Sequence, residues 1–112
     1  MQPEKVIKGS LSTVVLQLLH NNGKMYGYEI TKAVADASKG KTKITEAALY
    51  PTLHKLQSDG FLKVTTKNVL GRERKYYALT KIGSKELAIQ LENLKEAIAA
   101  LQKILKYEIP SS

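Results

Sequence analysis

The stretch Glu46 to Gly60, "EAALYPTLHKLQSDG", sets a phenol, an imidazole and an ammonium at Tyr50, His54 and Lys55 among leucines at Leu49, Leu53 and Leu56. Those leucines keep the i, i+4, i+7 spacing of one buried helix face. Glu46, Ala47, Tyr50, Pro51, His54 and Lys55 are then left towards the outside. Their chemistry is recognition: hydroxyl, imidazole and ammonium groups donate to phosphate oxygens, and side chains near the start of such a helix reach base edges. On that geometry Thr45, Ala47, Tyr50 and Pro51 are expected deepest in a DNA groove, with His54 and Lys55 on phosphates. Lys43, in the basic loop "KGKTK" that enters the helix, joins them as a DNA contact. Glu46 suits the positive end of the helix dipole and can accept from a cytosine amine, or repel phosphate and so sharpen specificity. Strand alternation in "GRERKYYAL" puts Arg72, Arg74 and Tyr76 on one face, where a guanidinium grips phosphate or enters a narrow minor groove.

Catalysis finds no comparable support. Asp36, Asp59 and the two histidines form no constellation of nucleophile and base, and no glycine-rich loop cradles a phosphate, so the chain is not expected to be an enzyme. With no cysteine, thiolate metal sites and disulfides are excluded; His54 has only His20 as a fellow imidazole, and neither a metal nor a cofactor is expected.

The elements that must hold these residues follow in order. At 112 residues the chain has room for one modest core. A first helix, about Ser10 to Asn21, carries Leu11, Val14, Val15, Leu18 and Leu19 on one face and ends at "NNGK". Lys5 and Lys8 before it suggest a leader, but the spacing is amphipathic and no small-residue cleavage site follows. A core helix is the better reading, and no stretch approaches the length of a membrane span. A second helix starts near Tyr26, with Ile30, Ala33, Val34 and Ala37 on one side, and stops at Gly40. The third is capped by Thr45, with Ile44 placed to staple onto Leu49, and stops at Gly60. "FLKVTT" and "RKYYAL" then alternate as two strands around the loop "KNVLGRE", an exposed tip in which Val69 and Leu70 are oddly apolar. Tyr77 and Leu79 are expected to pack on the helices. Thr80 caps a last helix, about Lys81 to Tyr107. Only the first few residues and the closing "PSS" are expected to be disordered.

Three helices and a hairpin, in that order, predict a winged helix-turn-helix over residues 1–80. A long C-terminal helix lies in residues 81–112, and the class is mainly α with a small β-hairpin. Charge agrees with the division. The chain carries +8 overall; residues 1–80 hold 13 Lys+Arg against 6 Asp+Glu, and residues 81–112 hold 5 against 4. The basic surface belongs to the winged module, the footprint expected of a partner for nucleic acid and, with this order of elements, for double-stranded DNA, although membrane surfaces and acidic proteins attract the same charge. In the last helix Leu87, Leu91, Leu94, Ile98, Leu101 and Leu105 form an unbroken heptad seam that outruns so small a domain, which predicts a homodimer.

"MYGYEI" at Met25 to Ile30, "ALYPTLHKLQSDGFL" at Ala48 to Leu62 and "GRERKYYALTKIG" at Gly71 to Gly83 resemble, in order and spacing, the signature stretches of PadR-type transcriptional regulators. The likeness runs from about Lys8 to Leu105. It implies a dimeric winged-helix DNA-binding protein, usually a repressor, with a C-terminal dimerisation helix; the absence of cysteine fits a reducing, cytoplasmic setting. The short form it resembles includes regulators of multidrug transporters, which implies a small aromatic or drug-like effector. This chain has no tryptophan, so a stacking site that depends on one is absent. Bound near the dimer seam, an effector would alter the spacing of the two recognition helices. The alternative is a winged-helix module that binds protein or RNA without sequence-specific DNA recognition. Its binding would depend little on salt.

Overall fold

A computed structural model describes residues 8–108 and Pro110; the disorder expected of the first few residues and of Ser111 and Ser112 lies outside the described residues. The order is α1 (Leu11–Asn22), β1 (Lys24–Tyr26), α2 (Gly27–Ala37), α3 (Glu46–Ser58), β2 (Leu62–Val69), β3 (Arg72–Leu79) and α4 (Lys81–Leu105). Among the described residues, four helices and a small antiparallel sheet make a winged helix-turn-helix with a C-terminal arm, as the order of motifs predicts.

The sheet departs from expectation in two ways. The sheet has three strands, in the order β1-β3-β2, because "KMY" pairs with the end of β3 (Lys24 opposite Ala78, Tyr26 opposite Tyr76). A three-residue strand is too short to show alternation, and its partner lies far along the chain. The wing is also longer than the sequence pattern suggests. Its strands run to Val69 and from Arg72, so the expected seven-residue loop shrinks to a two-residue turn at Leu70 and Gly71. Both turn residues have positive φ, 51° and 80°, as a type I′ hairpin requires. Leucine is a poor residue for that turn, which masks the signal.

The core follows the predicted face of α3 and only part of the other two: in α1 Leu16 is fully buried while Val14 and Leu18 are half-buried, and in α2 Ala37 is exposed. Leu49 and Leu53 are fully buried and Leu56 nearly so; they meet Val15, Leu16 and Leu19 of α1, Ile30 of α2 and Tyr77 of β3. Leu79 packs, half-buried, at its edge. The Thr45 hydroxyl accepts from the Ala48 N–H at 3.1 Å, with Ile44 and Leu49 both buried beside this cap. α2 ends at Ala37, and Gly40 closes the turn after it in left-handed backbone, donating to the Ala35 carbonyl.

At the joint to α4 the Thr80 hydroxyl accepts from the Gly83 N–H at 3.1 Å and donates to the Gly60 carbonyl at 2.6 Å. The Thr80 N–H donates to the Phe61 carbonyl. Cap, wing root and the end of α3 are thereby locked together. A helix of 25 residues extends about 37 Å, and α4 packs on α1 only over its first half, where Thr13 donates to Gln90 at 2.7 Å. Its second half projects, in a molecule 54 Å long and 24 Å thin. Leu87 is buried in the chain's own core and Leu91 packs against that core, so Leu87 leaves the expected dimer seam. Ile98, Leu101 and Leu105 stand 38%, 54% and 67% exposed. The helix ends at Leu105, two residues early, because Lys106 takes up left-handed backbone.

Candidate nucleic-acid interface

α3 presents Thr45, Glu46, Ala47, Pro51, His54 and Lys55 to solvent, and Lys43 is exposed just before it. The helix passes through Pro51 unbroken. Proline lacks the N–H that would reach the Ala47 carbonyl, and because both residues are exposed, water can satisfy that oxygen. Lys55 pairs with Asp59 at 3.4 Å on the surface, a contact weak enough for a phosphate to displace.

Tyr50 is placed differently from its neighbours. It is half-buried, and its hydroxyl lies over the first turn of α2, close enough that a β-carbon on Gly27 would stand 2.6 Å from it. Its ring is 6.3 Å from that of His54. Tyr50 therefore forms a wall of the groove between α3 and the wing. That groove, of about 460 Å³, is lined also by Tyr26, Tyr28, Glu46, Glu73, Arg74 and Tyr77. Burial, and then the nearby Tyr50, raise the pKa of the Tyr77 phenol, which stays neutral.

The register of the sheet assembles a basic surface that spacing shows only in part. With Met25, Leu62 and Tyr77 turned inward, the opposite face carries Lys24 and Tyr26 of β1, Lys63, Thr65, Lys67 and Val69 of β2, and Arg72, Arg74, Tyr76 and Ala78 of β3. It holds no Asp or Glu. The Tyr26 and Tyr76 rings meet edge to face at 5.4 Å at its centre, and the cations pack on them. Arg74 stacks 4.2 Å from the Tyr26 centroid, while Lys24 and Lys67 lie 5.8 and 5.6 Å from that of Tyr76. Arg72 is exposed and Arg74 half-buried. Interaction with the Tyr76 side chain leads the effects that raise the Arg74 pKa, so its charge is permanent.

Lys24, Lys63 and Lys67 join the expected cations on this face. Lys63 is legible from strand alternation in "FLKVTT", whereas Lys67 joins it because β2 runs on to Val69 and Lys24 only through β1.

The Transcriptional regulator PadR-like family model matches residues 15–89, which span α1 to the first turns of α4. A transcriptional regulator from Mycobacterium tuberculosis is 31% identical over 87 residues, covering 76% of this chain and 78% of its own length. Among solved structures, a transcriptional regulator from Clostridium thermocellum superposes with a TM-score of 0.81 at 29% identity, covering 88% of this chain and 96% of that one. Bacillus subtilis PadR in complex with operator DNA superposes with a TM-score of 0.65 at 31% identity, over 73% of this chain and 45% of that one. In fold and in sequence, this chain belongs to the PadR-like family of transcriptional regulators.

Proposed function

We propose that this protein is a homodimeric regulator that binds double-stranded DNA sequence-specifically and represses from a palindromic operator. The observation that carries this reading is the pairing of a capped helix, exposed along Thr45, Ala47, Pro51, His54 and Lys55, with a wing whose outer face is cationic and free of carboxylates. The helix suits a major groove and the wing the adjoining backbone. The likeness to a PadR protein solved on operator DNA supports the same assignment. Ala47 and Pro51 lie nearest base edges, Tyr50 reads from the side of the groove, and Lys43, His54, Lys55, Arg72 and Arg74 hold phosphates.

Dimerisation rests on Leu94, Ile98, Leu101 and Leu105, the part of the seam that the chain does not bury in its own core; Leu91 adjoins it. A twofold axis there presents two α3 helices to one face of DNA, about a helical turn or a multiple apart. A small aromatic effector bound near that seam would favour a spacing of the α3 helices that no longer fits DNA.

Selection of bound duplexes from a random pool at moderate salt tests the reading. A palindromic consensus is expected; no enrichment would sink sequence-specific recognition.

A further inference from the structure

Leu70, at the apex of the wing, is 99% exposed and sits in left-handed backbone at φ 51°. Both conditions are unfavourable for a γ-branched apolar residue, and nothing in the described residues offsets them. A β-carbon on the adjoining Gly71 would have no atom within 4 Å, so the tip stands in open space. Asparagine before glycine is the residue that the turn itself favours. Lys67 and Arg72, both exposed, stand near Leu70 at the end of the cationic sheet face, while exposed Asn68 and Glu73, paired with each other, turn to the opposite face. An apolar apex with a cation on each strand suits a narrow polyanionic cleft whose walls are phosphate and whose floor is stacked bases.

Resting on the DNA-binding reading above, we infer that Leu70 is a minor-groove wedge: it enters the groove flanking each half-site and partly unstacks one base step, while Lys67 and Arg72 hold the phosphates on either side. The B-DNA minor groove is about 6 Å wide, room for a side chain at the tip of a tight turn but not for the two-stranded ribbon behind it. Apolar wedges of this kind kink duplexes, most readily at flexible pyrimidine–purine steps. Specificity would then extend to a step that α3 never touches.

The test compares the full-length wild type with Leu70→Asn and Leu70→Met on a duplex recovered from the random pool, carrying 2-aminopurine at successive flanking steps. Wild type and Leu70→Met are expected to raise 2-aminopurine fluorescence at one step. Leu70→Asn should abolish that rise and weaken binding by about tenfold or more, as loss of a buried leucine does. Its salt dependence should be unchanged, since no charge is removed. Its melting temperature should hold or rise, so the loss cannot be ascribed to misfolding. If the wild type recovers no duplex, the DNA-binding reading fails and the wedge with it. If the wild type binds but shows no fluorescence rise, or Leu70→Asn binds as tightly with the rise intact, the wedge alone is overturned.

Discussion

The Tyr50 hydroxyl occupies the space where Gly27 lacks a side chain: a β-carbon built there would lie 2.6 Å from the hydroxyl oxygen and 3.0 Å from the ring carbon that bears it. The start of α2 thus sets the angle at which the α3 tyrosine stands. Gly27→Ala forces the end of a flexible side chain to swing outward, a small adjustment, while alanine favours the helix by up to about 1 kcal/mol. Stability should change by less than about 1 kcal/mol in denaturant titration. The preferred DNA sequence should shift in a repeated selection. An unchanged consensus would show that Tyr50 does not read from the groove wall.

Pro51 withholds one intrahelical hydrogen bond from an exposed turn of α3. Pro51→Ala restores the donor and should raise the melting temperature. If the ring faces a base edge or phosphate, the same change should alter DNA affinity. A gain in stability with identical binding would assign Pro51 no part in recognition.

Gly83 is a glycine for a different reason. A β-carbon there would lie 2.1 Å from the Phe61 carbonyl oxygen, and that oxygen is main chain, tied down by the Thr80 N–H. Gly83→Ala must push the start of α4 away from the wing root and should destabilise the fold by about 3 kcal/mol in chemical denaturation.

Leu101 is more than half exposed on the projecting half of α4. Leu101→Asp should leave the winged domain folded by circular dichroism while light scattering reports a monomer. Binding to a two-half-site operator should fall by about a hundredfold, because the second reading head is no longer tethered to the first. A variant that stays dimeric would place the interface elsewhere.

Arg72 and Arg74 share a face but not an environment. Arg72→Ala should weaken binding to all sequences alike and lower the salt slope by about one, with no effect on melting. Arg74→Ala should do the same and also lower the melting temperature, because the guanidinium is stacked on Tyr26 at 4.2 Å. Equal melting of both variants would mean that this stack does not help to hold β1.

Much of this architecture is legible in the order of residues alone. Leu49, Leu53 and Leu56 announce the buried side of α3 by period, so its exposed side follows by subtraction. Thr45 and Thr80 announce helix starts by type, and the positions of Arg72 and Arg74 follow from alternation. Each is a local regularity, written within a few residues of chain by helix pitch, strand pleat and capping chemistry. What depends on distant partners is not legible in this way. β1 exists because Lys24–Tyr26 meets Tyr76–Ala78, and Tyr50 turns sideways because Gly27 leaves room for it. Leu87 belongs to the core because α1 lies across the start of α4, although its spacing is indistinguishable from that of Leu101. Periodicity determines which side of an element is apolar; only tertiary packing decides what covers that side, because burial is a property of the neighbours and not of the residue.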